Sequence, residues 1–292
     1  MKLMPTVTEV AHRKSTMTAR ISSAETNAES IKLSMEQMRL EAETIEEQRL
    51  ELQARLNPLE MVLIPAGRFR MGTNTMVKGR TDETPEHSVR LKEFYIDKYE
   101  VTNIQYKEFI ETTGHRSPPH WRNRTFPEAR KSDHPVVNVS WDDAVAYGTW
   151  IGKRLPTEAE WERAALGSGT QEYPWKKAAS TEYANYENAV GGTTSVAKYS
   201  KGQSPDGVWD MCGNVGEWVS DWYDDKYYSG GDSADSAVDP VGPTHGHDRV
   251  YRGGGFQGNK IDVRGKTRQI AMPSASNEHI GFRCAMDAEA GS

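Results

Sequence analysis

One stretch of this chain restricts its fold more than any other: GVWDMCGNVGEWVSDW, residues 207–222. It gathers three tryptophans, two aspartates and a glutamate into sixteen residues. That is too polar for a core strand, and Gly213 and Gly216 are poor helix formers, so the stretch reads as a loop folded around something. Asp210, Asn214 and Glu217 supply hard oxygen donors at short spacing, and the glycines let the backbone turn so that carbonyls point inward beside them. Calcium sites are assembled from about six to eight oxygens of this kind. Trp209, Trp218 and Trp222 would bury large apolar area around such a site. The competing reading is a tryptophan-rich core loop whose acids accept backbone hydrogen bonds, since the spacing is not that of an EF-hand.

With 292 residues the chain accommodates one large domain plus an appendage. Its 42 acidic residues outweigh its 36 basic ones, giving a net charge of -6. No basic stripe interleaved with aromatics appears, which argues against a nucleic-acid partner. The first twenty residues, MKLMPTVTEVAHRKSTMTAR, lack the apolar run of a secretory signal, and no segment approaches the length of a bilayer span. As written the chain reads as soluble and cytoplasmic; a periplasmic or exported chain whose signal had been removed would look the same. Cys212 and Cys284 allow at most one disulfide, and their apolar or turn surroundings read as those of inert buried thiols.

Residues 21–56 carry a second pattern. Ile21, Ala24, Ala28, Ile31, Met35, Met38, Ala42, Ile45, Arg49, Leu52 and Leu56 alternate at spacings of 3 and 4, a coiled-coil seam in a segment without proline or glycine. Asn57-Pro58 stops it. The resulting rod would be roughly 50 Å long. Its narrow apolar stripe suits pairing with another chain better than packing on its own domain, where a wider apolar face is usual. Three alanines and Arg49 weaken a homodimer, so the seam points to a protein partner. The expected organisation is an extension over 1–20, the amphipathic helix over 21–57, a domain over 58–287 and a short tail over 288–292.

Within the domain, Met61–Ile64 and Gly67–Met71 read as strands, and Val89–Ile96 alternates as one more. Thr102 with Gln105, Ser140 with Asp143, and Thr157 with Glu160 have the spacing of helix starts. The helix from Trp141 should turn Ala144, Val145, Tyr147 and Trp150 inward, and the next one Ala159, Trp161 and Ala164. Between Gly167 and Val208 periodicity is lost and loop dominates. Composition alone gives an α+β domain with much irregular structure.

Several stretches in fixed order resemble the hallmarks of the formylglycine-generating enzyme family, the sulfatase-modifying factors with their ergothioneine and pyoverdine-pathway relatives. They are MVLIPAGRFRMG at 61–72, DETPEHSVRLKEFYIDKYEVTNIQY at 82–106, HPVVNVSWDDAVAY at 134–147, KRLPTEAEWERAA at 153–165, DMCGNVGEW at 210–218, DRVYRGGGF at 248–256 and HIGFRCA at 279–285. The resemblance covers roughly residues 59–287 and implies a C-type-lectin-like fold. It also implies two structural calcium sites. One would use the side chains of Asp210 and Glu217 with carbonyls of Gly213 and Val215; the other, the side chains of Asn185 and Asn188 with carbonyls of Tyr186 and Val190. Asn188 stands where relatives commonly carry aspartate, which makes the second site weaker.

Copper-dependent members rely on two cysteines near the C-terminus, a soft pair suited to Cu(I). In this chain those positions are Gly258 and Val263, the serine of the usual GGS is Gly255, and the tryptophan of GNVWEW is Gly216. These departures argue against formylglycine formation. The nearest histidine pair, His245 and His247 beside Asp248, can in principle bind zinc, copper or iron, but it lies in a glycine-proline loop. His87, His134 and His279 sit in family motifs and read as structural. Asn259, Lys260, Asp262, Arg264, Lys266 and Arg268 form a charged run that reads as a solvated face, or as a groove lining that meets a partner. The expectation is a calcium-stabilised accessory or scaffold subunit without redox metal or catalytic residues. The alternative is a nonheme metal-dependent oxidoreductase of the pyoverdine- or ergothioneine-related branch.

Overall fold

A computed structural model describes residues 7–56, 60–126, 131–230 and 237–288; in the first helix the side chains described are those of residues 8, 13–18 and 20–45. The chain divides into two compact units, Met1–Leu50 and Glu51–Ser292.

The first unit is dominated by one helix, α1, Val7–Leu56. It begins well before Ile21, because residues 7–20 contain neither proline nor glycine and keep the seam's spacing through Lys14 and Met17. The seam is solvent-exposed: Ile21 at 51%, Ile31 at 61%, Met35 at 62%, Met38 at 60% and Ile45 at 65%. The side chains of Arg49, Leu52 and Leu56, and the stop at Asn57-Pro58, lie outside the described residues.

Among the described residues the second unit is α+β, with three small sheets and three short α-helices. Strands β1 (Met61–Ile64), β4 (Phe94–Asp97) and β10 (Ala285–Asp287) make one antiparallel sheet in the order β1-β4-β10. A second joins β2 (Gly67–Met71), β3 (His87–Leu91) and β6 (Ala237–Val238). The third runs β8-β7-β5-β9, from Gln269–Ala271, Arg249–Arg252, Gly216–Trp222 and Ile280–Phe282. The expected strand Val89–Ile96 is therefore two strands in different sheets, interrupted at Lys92-Glu93. The apolar period slips at that point, Leu91 and Phe94 standing three apart across two exposed charged residues, and the slip marks the change of partner.

Helices α2 (Asn103–Thr113), α3 (Trp141–Trp150) and α4 (Glu158–Leu166) start where the cap residues place them, each closed by a capping box from Thr102, Ser140 and Thr157. Ala144 and Tyr147 are buried, with Val145 and Trp150 packed on the same core. Ala159, Trp161 and Ala164 enter a second core with Phe69, Val89, Met211 and Val250. Among the described residues, 167–208 contain one short 3-10 turn, Ser200–Gly202, and otherwise loop.

Two expectations are overturned here. The stretch 207–222 is a loop only in its first half; its second half is β5, buried at the centre of the four-stranded sheet with Trp218 fully enclosed. Its acids do not prevent this, because Glu217 and Asp221 find partners inside the fold. The charged run after Gly258 is a solvated face only in its first half: Asn259 and Lys260 are exposed and Asp262 is half-buried, but Arg264, Lys266 and Arg268 are only 5%, 2% and 1% exposed. Arg268 donates to both oxygens of Glu158 at 2.9 and 3.0 Å, and Arg264 donates from Nη2 to both oxygens of Glu83 at 2.8 and 2.5 Å and from Nη1 to Glu172 at 2.9 Å. A guanidinium is tolerated in a core when carboxylates meet its fork.

Candidate functional site

The loop leading into β5 is shaped by left-handed backbone at Asp210, Gly213 and Asn214. At Gly213 a side chain is excluded twice over, by φ of 87° and by the carbonyl of Asn185, which a Cβ would meet at 2.6 Å. This turn sets Asp210 and Glu217 in the interior, 7% and 0% exposed. Glu217 is held by Arg283, which donates from Nε and Nη2 at 2.6 Å each, and by the Trp161 indole at 2.7 Å. Arg283 also donates to the carbonyls of Asp97, Lys98 and Trp209, so it staples the loop to the end of β4. Asp210 accepts from the Ala197 amide at 2.9 Å.

A third acid joins them. Glu100 is 1% exposed; its Oε1 accepts from Asn214 at 3.0 Å, while its Oε2 is buried with no hydrogen-bond partner. Burial pushes Asp210 up to about 6, with Glu217 adding to the effect, and burial followed by Asp210 drives Glu100 well above the ordinary carboxylate range. Three buried carboxylates thus face one guanidinium. The surplus negative charge must be neutralised by protons or by a cation. A hard divalent ion suits the oxygens present, and Glu217 keeps lone pairs beyond those its donors use. Among the described residues no three His, Cys, Asp or Glu side chains gather as a metal-holding group, so such an ion would draw on carbonyls as well. Asn214 is spent within the fold: its Oδ1 accepts from Thr194 and Asn185, and its amide bonds Glu100 and the Thr194 carbonyl. Glu100 carries no mark in the sequence beyond its place in a family stretch, because its neighbours come from distant segments.

The second set begins at Asn185, 1% exposed, whose amide donates to the Gly192 carbonyl at 2.8 Å and whose Oδ1 is buried without a partner. Tyr186 is buried beside it, whereas Asn188 and Val190 lie exposed on the following turn, Asn188 with φ of 54°. An orphaned amide oxygen of this kind is a ready ligand for a hard cation.

Gly258 and Val263, the two positions that the family resemblance assigns to copper cysteines, lie side by side: a Cβ on Gly258 would stand 3.5 Å from Cγ1 of Val263. Val263 is fully buried, in an apolar cluster with Ala184 and Tyr186. At Gly216 a Cβ would meet the Tyr251 ring at 2.7 Å, and at Gly255 it would meet Cβ and the carbonyl of His279 at 2.8 Å. Glycine at both positions therefore lets Tyr251 and His279 close in. Cys212 and Cys284 are buried free thiols, both pushed up by burial and so poor nucleophiles. His245 and His247 are exposed; His247 lies 3.2 Å from Asp248 and His245 contacts Thr244. His87 is enclosed, with Nδ1 3.0 Å from the Pro85 carbonyl, and His134 bonds Thr193.

The chain matches the sulfatase-modifying factor enzyme 1-like domain over residues 46–288. It is 39% identical over 241 residues to a serine/threonine-protein kinase pkn1 of Chlamydia pneumoniae, covering 77% of this chain but 38% of the kinase; it spans about two fifths of the chlamydial kinases it matches. It is 32% identical to a formylglycine-generating enzyme of Bos taurus, covering 79% of this chain and 75% of that protein, and 30% identical to the inactive C-alpha-formylglycine-generating enzyme 2 of the same organism, covering 79% and 89%. Among solved structures it resembles PvdO from Pseudomonas aeruginosa, with TM-score 0.66 and 30% identity, covering 78% of this chain and 94% of that one.

Proposed function

The chain belongs to the sulfatase-modifying factor enzyme 1-like family, and from that premise we propose that it is a calcium-stabilised member without formylglycine-generating activity, working as an accessory or scaffold subunit attached through α1. The observation that carries this reading is the pair Gly258 and Val263. They are neighbours in space, as a shared metal site requires, yet neither side chain has an atom to donate. Family membership does not decide activity, since the similar proteins include both an active and an inactive enzyme by name.

The test has two parts. Purified chain supplied with copper and a sulfatase-type cysteine peptide should form no aldehyde, and elemental analysis should return calcium without stoichiometric iron or copper. Aldehyde formation would overturn the proposal. Bound iron that disappears on His245→Ala and His247→Ala would favour the oxidoreductase reading instead.

Calcium at Asp210, Gly213, Val215 and Glu217, with Glu100 as an added acid, and at Asn185, Tyr186, Asn188 and Val190, would tie loops of the second unit together. A concentration about a hundredfold above the dissociation constant adds about 2.7 kcal/mol by mass action. Its effect should depend on pH with a definite sign. The Asp210 carboxyl titrates higher in the fold than in the unfolded chain, so without calcium its contribution is complete below about pH 4 and is lost as pH rises through about 6. Calcium competes for the ionised form. The melting-point gain from calcium should therefore be large at neutral pH, shrink below about pH 6, and be reduced in Asp210→Asn. An equal gain at neutral and acidic pH would refute Asp210 as a ligand.

A further inference from the structure

We propose that α1 pairs with α1 of a second copy of this chain, antiparallel, in a register that sets Ile21 against the partner's Met38. This deepens the reading of α1 as the assembly element. Most of the helix lies in a unit of its own, Met1–Leu50, and the seam from Met17 (67% exposed) to Ile45 (65% exposed) is exposed at every position.

Orientation follows from what each layer would contain. In a parallel, in-register pair, Ala24, Ala28 and Ala42 would face their own copies, leaving thin layers, Lys14 would face Lys14, and Glu41 would flank Glu46. In the antiparallel register the layers become Met17 with Ala42, Ile21 with Met38, Ala24 with Met35, Ala28 with Ile31, and Lys14 with Ile45. Every alanine now meets a methionine or isoleucine, the small-against-large interdigitation that fills a helix interface. Lys14 lies at the end of the layered segment, where its stem can cover Ile45 and its ammonium stay in water.

The flanking charges agree. Glu25 falls opposite Lys32, and Arg20 opposite Glu41, each contact occurring twice by symmetry, while Arg39 faces Thr18. No like charges meet between residues 13 and 45. Sliding one helix by a heptad in either direction sets Lys32 against Lys32 or Glu25 against Glu25. The charge pattern therefore selects this register as well as this orientation.

The experiment uses the full chain. Sedimentation should show a concentration-dependent dimer. Glu25→Lys should weaken it roughly tenfold and Glu25→Lys with Lys32→Glu should restore it, with circular dichroism confirming that the helix persists. Ile21→Cys chain mixed with Met38→Cys chain should cross-link, because Cys212 and Cys284 are buried and do not compete. Leu33→Ser with Leu40→Ser, on the outer face at 69% and 55% exposure, should leave the dimer unchanged. A monomer at all concentrations, or cross-links only between identical seam positions, would overturn the antiparallel pair. If the chain is monomeric but co-purifies with other proteins only when residues 1–57 are present, this proposal fails and the accessory-subunit reading stands; if helix deletion changes neither, both fail.

Discussion

Arg268→Glu should leave the second unit unfolded at ordinary temperature. Arg268 is 1% exposed, donates to both oxygens of Glu158, and bonds the carbonyls of Asp82 and Asp224. Its guanidinium also lies 4.4 Å from the ring centre of Tyr228. Glu158 accepts in addition from Arg252, which reaches Glu162 at 2.6 Å, and Glu162 in turn accepts from the Gly72 amide. Two acids and two guanidiniums, each no more than 1% exposed, thus join α4 to β7, to the end of β2 and to the segment before β8. Removing one partner of a buried pair costs about 3–5 kcal/mol, and reversal adds a like charge beside Glu158. A domain stable by about 5–15 kcal/mol does not absorb that easily. Circular dichroism and urea unfolding would read the result, with Arg268→Lys intermediate because it keeps the charge and loses the fork. A wild-type midpoint for Arg268→Glu would show that the buried network is not formed in solution.

Arg283→Leu should be comparably damaging for a different reason. It strips the guanidinium, the main counter-charge, from the interior that holds Glu217, Asp210 and Glu100, and leaves Glu217 with only the Trp161 indole. The expected loss is again about 3–5 kcal/mol. Two features distinguish it from general destabilisation. Pairing it with Glu217→Leu should recover part of the loss, because it removes the Glu217 charge that Arg283 held most directly, while Asp210 and Glu100 stay buried and Trp161 Nε1 goes unsatisfied at a cost of about 1–3 kcal/mol. Without Arg283 the remaining acids should also hold protons more tightly, so the variant should be distinctly more stable in mild acid than at neutral pH, the sign already set by Asp210. A double variant no better than the single one, or a single variant insensitive to acid, would remove the charge argument.

These two arginines mark where reading the chain by itself stopped. The local rules were sufficient for much of the architecture. Cap residues three positions apart placed the starts of α2, α3 and α4, and short strand-like runs on either side of Pro65-Ala66 placed β1 and β2. A 3-4 repeat placed α1 from Ile21 onward, though not its start at Val7, and the family stretches identified the fold. Each rests on contacts within a few residues, so each is written in sequence order. The identities of Gly258 and Val263 were equally plain, since a missing thiolate needs no coordinates to be noticed.

What the tertiary structure decided is which distant segments meet. Arg268 reads as surface in isolation because Glu158 is 110 residues away, and Arg264 likewise because Glu83 is 181 residues away. Residues 216–222 read as loop because nothing local shows that β7 and β9 flank them, or that Arg283 neutralises Glu217. Glu100 entered the acid cluster only when Asn214 and Asp210 were brought to it. Burial of charge is a property of pairs drawn together by the fold, and a linear pattern records one member of the pair at a time.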